Sequence, residues 1–396
     1  MAFAARRAAL GFTQETLAER LGMERSAVVR WESGKSAPQP WVRRKIAAAL
    51  AITLDELAVL LSQPAVPMLR RGAVEQSDLV HAGIPALRRV LDAYDLPEDG
   101  PTRGIAELER AVADVVTSRL QSNYGALATL IPALLSELMR AFTTSSGAER
   151  VAVARLLVQA YRAADAIADK YGYYDLSARI IGLMEWAARA AEDDLLIATA
   201  AYVRAETFFA NGDLQTGRRM LERAATRVEH EASAQAAAVY GALHMRAAVT
   251  AARAGLAASA RDHLAEASRC AFQVDEGVYF GTAFGPASVR IHQVSLAVEL
   301  GDAGTALQSA AGWSPPISLP AERRSHFHVD LGRAHHQAGR HDRALDEFIA
   351  ARTTAPEHIQ AHPQVREVIH HMHQSSPASS ALRDFSRWMT QPASTG

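Results

Sequence analysis

Residues 13–38 read TQETLAERLGMERSAVVRWESGKSAP. The stretch from Thr13 to Gly22 predicts a helix with both ends marked, because threonine is a good N-cap and glycine takes up the left-handed exit conformation. A second short helix is predicted from about Arg25 to Ser33, and it stops at Gly34. Apolar side chains at helical spacing supply the faces on which the two helices pack: Leu17, Leu21, Val28 and Trp31.

Further short helices are predicted on both sides of this pair. One covers Ala4 to Leu10, and another runs from about Trp41 to Leu50, after two prolines have interrupted the chain. Residues 53–56 have capping-box spacing and begin a fifth helix toward Leu61. Short helices of this kind, two of them joined by a tight glycine turn, are typical of a helix-turn-helix domain. The sequence therefore predicts such a domain over residues 1–61.

The whole N-terminal string resembles one family of DNA-binding domains. The matching positions are Thr13-Gln14, Leu17-Ala18, Leu21-Gly22, Ala27-Val28, Arg30-Trp31-Glu32, Gly34-Lys35 and Pro38. Together they resemble the phage-repressor family, which is also called the Cro-like or xenobiotic-response-element family. The resemblance covers about residues 3–61 and implies a domain that binds double-stranded DNA.

The resemblance also implies roles for particular residues. The helix that begins near Arg25 would be the recognition helix, whose first residues reach base edges in the major groove. The positions that match base-facing residues are Arg25, Ser26, Val29 and Arg30. The positions that match phosphate contacts are Gln14 and Lys35, and Arg43 is expected to add another. Trp31 and Glu32 are expected to be structural. The alternative is that this domain docks a protein instead of DNA.

Residues 62–104 are predicted to be a linker, since prolines and glycines recur throughout them. Apolar residues at helical spacing predict one docked helix inside it, over Leu79–Tyr94.

A repeated pattern occupies the predicted third domain, residues 105–390. Its clearest copy centres on Gly339, with Gly332 seven residues before it, Ala344 five after and Phe348 nine after. Earlier turn glycines stand at Gly301, Gly255, Gly212 and Gly172. The pattern resembles the tetratricopeptide repeat, although the spacings exceed the usual period of about 34 residues. The predicted fold class is therefore all-α, with a small five-helix helix-turn-helix domain followed by a tetratricopeptide-type superhelix.

The concave face of such a superhelix is lined by the first helix of each pair. The residues predicted to line it and to bind a ligand are Tyr202, Glu206, Phe209, Met245, Arg333 and His336. The alternative for each of them is an ordinary solvated or packing role.

Composition and charge narrow the function classes. Residues 1–61 hold nine Lys/Arg against six Asp/Glu, whereas the whole chain has a net charge of −1. A basic N-terminal segment on a mildly acidic chain is typical of a polyanion-binding module attached to another domain. With a single cysteine, no signal peptide and no apolar run of membrane-spanning length, a soluble cytoplasmic protein that needs no membrane is expected.

No enzyme motif and no cofactor motif is recognised, so neither catalysis nor a cofactor is expected. Ten of the 15 histidines lie between His326 and His373. Metal sites need about three or four converging ligands, and no Cys pair or His-Glu-x-x-His spacing supports one here. No metal site is predicted from the sequence, although a pH response of the clustered histidines is left open.

The function predicted from these features is sequence-specific transcription regulation. The N-terminal domain would bind an operator, which we expect to be an inverted repeat, and the repeats would sense a peptide or small-molecule effector and form a homodimer. A dimer must present its recognition helices about 34–36 Å apart to grip successive major grooves. The alternative is a protein-interaction scaffold in which DNA binding is weak or secondary.

Overall fold

The computed structural model of the protein describes residues 2–32, 38, 40–54, 57, 61, 76–229, 233–375 and 379–390. The described chain is almost entirely helical, and the predicted all-α class is confirmed. It forms two compact units: Met1–Gly72 with Glu206–Thr216, and Ala73–Ala205 with Gly217–Gly396. A helix-turn-helix domain stands at the N-terminus, and helix pairs in a superhelix-like arrangement follow it. The predicted boundaries at residues 61 and 104 remain predictions.

The N-terminal helices are α1 Ala2–Ala9, α2 Gln14–Leu21, α3 Arg25–Glu32 and α4 Pro40–Ala49. The hydroxyl of Thr13 caps α2 by accepting from the backbone N–H of Thr16, and Gly22 ends α2 in the left-handed region with φ 67°. The predicted fifth helix is helical at Leu54 and Leu57 but falls mainly outside the described residues. The buried core of this domain is Phe3, Leu17, Ala18, Leu21, Ala27, Val28, Trp31, Val42, Ile46, Ala47, Leu50 and Leu57.

The helices of the second part of the chain follow in order. They are α5 Gln76–Asp92, α6 Ile105–Leu120, α7 Tyr124–Thr144, α8 Gly147–Lys170, α9 Tyr174–Ala190, α10 Asp194–Asn211, α11 Leu214–Val228, α12 Ala234–Arg253, α13 Ala257–Ala271, α14 Pro286–Glu299, α15 Ala303–Ala310, α16 Ala321–Gln337, α17 His341–Thr354, α18 Pro356–Ala361, α19 Pro363–Ser375 and α20 Ser380–Thr390.

The predicted turn glycines lie between the two helices of each pair. All five have φ between 72° and 81°, which favours glycine because other residues are strained there. They are Gly172, Gly212, Gly255, Gly301 and Gly339. Each of them stands between two consecutive helices, from α8 to α17, where the sequence predicts a turn.

Small residues allow the paired helices to pack closely. Between α12 and α13, Ala248 and Ala260 are fully buried, and Leu264 packs against the same cluster. Between α14 and α15, the buried residues are Val294, Ala306 and Ala310. These positions stand seven before and five or nine after a turn glycine, as the repeat pattern requires.

Helices α5 and α7 pack against each other ahead of the helix pairs. Gly83 of α5 lies against α7, since a Cβ at that position would be 2.8 Å from the carbonyl oxygen of Ala128. The 21-residue helix α7 is long and apolar enough to cross a membrane by length and composition. However, 67 % of its most apolar stretch is buried inside the protein, as in a core helix.

A short β-hairpin interrupts the helices, and it was not predicted from the sequence. Strand β1 Gly277–Tyr279 pairs antiparallel with β2 Thr282–Phe284, and Tyr279 faces Thr282. The two turn residues, Phe280 and Gly281, have φ 47° and 77°. Two positive φ angles in a two-residue loop are those of a type I′ turn, whose twist matches a hairpin.

Candidate nucleic-acid interface and ligand site

The N-terminal ends of α2 and α3 meet at one face of the first domain. Gln14 is the first residue of α2 and Arg25 is the first residue of α3. Nη2 of Arg25 donates to Oε1 of Gln14 at 3.4 Å, so the two helix ends lie side by side. Each helix N-terminus carries a partial positive charge, and two of them beside an arginine favour an anionic partner.

A buried carboxylate holds this face in place. Glu32, at the end of α3, is only 8 % exposed. Its Oε1 accepts from Nε of Arg7 on α1 at 2.5 Å, and its Oε2 accepts from Nε2 of Gln14 at 2.7 Å. Arg7 also donates to the carbonyl oxygen of Phe12, ahead of α2. Glu32 therefore ties three helices together.

The predicted base-reading residues stand on α3. Arg25 is exposed, and Val29, one turn further along, is 38 % exposed. Trp31 is buried in the core of the domain, in keeping with the structural role expected of it. Ser26 and Arg30 lie on α3, but their side chains fall outside the described residues.

Of the predicted phosphate contacts, Gln14 is at the start of α2 and Arg43 is on α4. Nε of Arg43 donates to the carbonyl oxygen of Pro38 at 3.0 Å, which fixes the start of α4 against the preceding loop. Lys35 falls outside the described residues. These assignments remain predictions.

The six predicted ligand residues have different surroundings. Met245 is fully buried, and Arg333 is buried between Glu299 and Asp330, to which its Nη1 donates at 3.1 and 3.0 Å. His336 lies beside His341 and His371 instead. Glu206 and Phe209 lie on the last turns of α10, in the segment grouped with the first compact unit.

Tyr202 lies in a cluster of arginines that was not predicted from the sequence. Its ring is 4.3 Å from the guanidinium carbon of Arg246 and 5.6 Å from that of Arg162. Arg323 forms a hydrogen bond with the Tyr202 hydroxyl, and its Nη1 lies 3.5 Å from Nε2 of His292. These side chains come from α8, α10, α12, α14 and α16, so only the folded array brings them together.

The β-hairpin forms one wall of this cluster. Arg162 donates to the carbonyl oxygen of Phe280 and to the hydroxyl of Thr282, both at 2.6 Å. Arg119 of α6 donates to the carbonyl oxygen of Gly281 at 2.6 Å. The hairpin turn is therefore held by two arginines that precede it by more than a hundred residues.

The local field at this cluster is positive. Burial would raise the pKa of Tyr202, but the charges of Arg246, Arg323 and Arg162 outweigh it and lower the pKa to about 8. Burial, and then the charge of Arg323, lower the pKa of His292 to about 3. The arginine charges that lower the pKa of Tyr202 also favour an anionic ligand.

Comparison with known proteins assigns the first domain. Residues 3–57 match the family model described as helix-turn-helix. No curated protein matches the chain.

Two solved structures show a partial likeness. The first is the crystal structure of Bacillus thuringiensis PlcR in complex with the peptide PapR7 and DNA, with a TM-score of 0.33, 17% identity and coverage of 68% of this chain and 92% of that chain. The second is BtubC (BKLC) from P. vanneervenii, with a TM-score of 0.35, 14% identity and coverage of 69% and 94%. With TM-scores this low, neither likeness assigns a function.

Proposed function

We propose that this protein is a sequence-specific DNA-binding transcription regulator, whose helical repeats sense a small molecule or peptide and mediate dimerisation. The observation that carries the DNA-binding part is the convergence of Gln14 and Arg25 at two adjacent helix N-termini. It occurs inside a domain that matches the helix-turn-helix family.

In this proposal, α3 enters the major groove and its N-terminal side chains read base edges. Arginine at such a position pairs with O6 and N7 of guanine, so Arg25 or Arg30 would select a G in each half-site. An exposed valine such as Val29 would contact a thymine methyl group. Gln14 would hold a phosphate at the start of α2, which fixes the register of α3 in the groove.

The test is selection of binding sites from a randomised duplex pool by the full-length protein at physiological salt. We expect an enriched inverted repeat from the wild type, and loss of at least tenfold in operator affinity for Arg25→Ala and Arg30→Ala. Arg110→Ala is the matched control, because Arg110 is an exposed arginine on α6 and the variant has the same net charge. It should bind like the wild type.

Binding that is salt-sensitive and blind to sequence would instead support the interaction scaffold. Equal losses of operator affinity in all three arginine variants would also support the scaffold, since bulk charge alone would then explain the affinity.

The effector site in this proposal is the arginine cluster around Tyr202. Three arginines surround one phenol, and the lowered pKa of Tyr202 reports their combined field. We therefore infer that the effector carries an anionic group, such as a carboxylate, which would bind beside Tyr202. A ligand there would contact helices of several pairs at once, and a change in their packing is a way to alter the distance between two DNA-binding heads.

The effector test uses the selected operator as its readout. A low-molecular-weight fraction of cell extract should change operator affinity for the wild type and for Tyr240→Phe, a tyrosine of α12 outside this cluster. It should have little effect on Arg323→Gln, which removes one positive charge from the cluster. An equal response of both variants would exclude this cluster as the effector site, while DNA binding itself would stay established.

Dimerisation is tested separately by sedimentation of the free protein and of its operator complex. Two chains per inverted repeat are expected, and one chain per site would contradict the dimer.

A further inference from the structure

We propose that His326, His358 and His362 form a binding site for one divalent transition-metal ion, with Zn²⁺ as the best-suited metal. One ring nitrogen from each of the three lies within 4.8 Å of those of the other two. His326 comes from α16, while His358 and His362 stand on and just after α18. Three converging imidazoles are the ligand set that metal sites need, and imidazole suits zinc.

The hydrogen bonds of Ser325 fix the tautomer of His358. The hydroxyl of Ser325 donates to the carbonyl oxygen of Ala351 at 3.3 Å, so its oxygen is left to accept from Nδ1 of His358 at 3.1 Å. The proton of neutral His358 is therefore on Nδ1, and the lone pair is on Nε2. A second hydrogen bond of this kind is what orients metal-binding histidines in known sites.

Two of the three imidazoles present a buried nitrogen that no described residue satisfies. Among the described residues, Nε2 of His358 and Nδ1 of His362 have no hydrogen-bond partner. His358 is 1 % exposed, and leaving such a polar atom unpaired is costly. A metal ion would bind these lone pairs and remove that cost.

The rings are packed close together around a common point. The ring centroids of His326 and His358 are 4.4 Å apart, and His362 is 5.5 Å and 5.2 Å from them. Tetrahedral zinc, with Zn–N near 2.0–2.1 Å, places ligand nitrogens about 3.4 Å apart. Small rotations of the rings would close the present separation, without a change in the helices.

One carboxylate lies beside the cluster, among cationic side chains that include Lys170 and Arg323. Lys170 lies close by, but its Nζ is paired with Oε1 of Glu322 at 2.8 Å. The same Oε1 is 4.0 Å from Nε2 of His326, so this carboxylate lies beside the cluster.

The sequence carries a signal for this site that is neither a Cys pair nor a His-Glu-x-x-His motif. Glu322 and His326 are four residues apart on α16, and His358 and His362 are also four apart. Side chains at this spacing share one helix face. The packing of α16 against α18 then joins the two pairs. A bound ion would cross-link these helices.

The test is titration of the full-length protein, purified without a histidine tag and freed of metal, with Co²⁺ and then Zn²⁺. We expect one Co²⁺ per chain with the intense visible absorption of tetrahedral coordination, displaced by one Zn²⁺. His326→Gln and His358→Gln should each weaken binding at least a hundredfold. His373→Gln is the control, because His373 is exposed in the histidine-rich run at residues 370–373, and this variant should bind like the wild type.

Ser325→Ala keeps all three ligands and removes the hydroxyl that orients His358, together with its hydrogen bond to the carbonyl oxygen of Ala351. Loss of such a partner typically costs 10- to 100-fold in metal affinity, and we expect a loss in that range. Because it keeps every imidazole, this variant decides the question if a histidine variant does not fold by circular dichroism. Wild-type affinity in Ser325→Ala, loss of binding in His373→Gln, or octahedral Co²⁺ alone would each overturn the proposal.

Discussion

The ring of Phe348 fills the space in which a side chain at Gly332 would stand. A Cβ atom on Gly332 would lie 2.5 Å from Cε1 and 2.8 Å from Cδ1 of Phe348, and Phe348 is fully buried. The two residues stand seven before and nine after the turn glycine Gly339, on α16 and α17. The close approach of these helices therefore depends on a glycine in one and an aromatic ring in the other.

We expect Gly332→Ala to destabilise the repeat unit by about 1–3 kcal/mol, since a methyl group forced into a packed core displaces its neighbours. The measurement is the free energy of unfolding from chemical denaturation. Gly182→Ala is the control: Gly182 is an exposed glycine inside α9, and a methyl group added there would meet no neighbouring atom within 4 Å. It should gain up to about 1 kcal/mol through helix propensity. Equal effects of the two substitutions would contradict the packing role of Gly332.

The buried carboxylate of Glu32 gives a prediction for the first domain. Glu32→Ala leaves Arg7, 14% exposed, without its carboxylate, and frees Gln14 at the start of α2. We expect a loss of roughly 3 kcal/mol in the stability of this domain, which is typical when one partner of a buried pair is removed. Operator affinity should fall as well. Glu24→Ala, at an exposed position before α3, should change stability by less than about 0.5 kcal/mol. Wild-type stability of Glu32→Ala in thermal unfolding would contradict the anchoring role.

The arginine cluster predicts an unusual pH dependence for one tyrosine. Because the pKa of Tyr202 is lowered to about 8, one of the nine tyrosines should ionise near pH 8 in the folded protein. Burial raises the pKa of Tyr124, Tyr161 and Tyr171, so these should stay protonated there. Ultraviolet titration of tyrosinate should show this step in the wild type and in Tyr240→Phe. If the ionisation step persisted in Tyr202→Phe, its assignment to Tyr202 would be wrong.

The same shift affects stability, and its sign follows from linkage. The folded state favours tyrosinate, so the contribution of Tyr202 is complete above the unfolded pKa near 10 and is lost as the pH falls through 8. Relative to Tyr202→Phe, the free energy of unfolding should therefore rise between pH 8 and pH 10, by about 2–3 kcal/mol at most. If the difference in the free energy of unfolding between the wild type and Tyr202→Phe did not change over this range, the prediction would be wrong.

Substitution of Arg333 tests whether this residue has a structural role or the predicted ligand role. Burial would raise the pKa of Glu299, but Arg253 and Arg333 lower it to about 2. A carboxylate with a lowered folded pKa stabilises the protein above pH 4.5, and this stabilisation is lost as the pH falls toward 2. Arg333→Ala should cost about 3 kcal/mol at pH 7 and should reduce the loss of stability between pH 4.5 and pH 2. A variant as stable as the wild type at pH 7 would leave Arg333 free for a ligand.

The helical parts of the fold could be predicted because their signals are local. Thr13 and Gly22 mark the ends of α2 by their own backbone chemistry, and a turn glycine such as Gly339 has the positive φ that its position requires. The hairpin at residues 277–284 lies between two helical segments, and its turn is stabilised by Arg119 and Arg162 from far away in the chain. Because these contacts are long-range, the helical spacing of apolar residues could not predict the hairpin.

The candidate sites depend on such long-range contacts. Tyr202 was predicted to line a ligand site, but the arginines around it come from other helices, and no spacing in the sequence joins them. His326 and His358 are likewise 32 residues apart, and the metal site proposed for them needs the packing of α16 against α18.

The recognition helix gives the final prediction, because base contacts and phosphate contacts respond differently to substitution. Arg25, exposed at the start of α3, should read a base, so Arg25→Ala should relax the preference at one position of each half-site by about 1–3 kcal/mol. Arg43 lies on α4, and its Nε donates to the carbonyl oxygen of Pro38. This residue should contact phosphate. Arg43→Ala should weaken binding to all sequences alike and reduce the slope of log K against log salt by about 1 for each chain bound. Binding-site selection and salt titration of both variants measure the two effects. If Arg43→Ala changed the selected sequence while Arg25→Ala changed only the salt slope, α3 would not be the recognition helix.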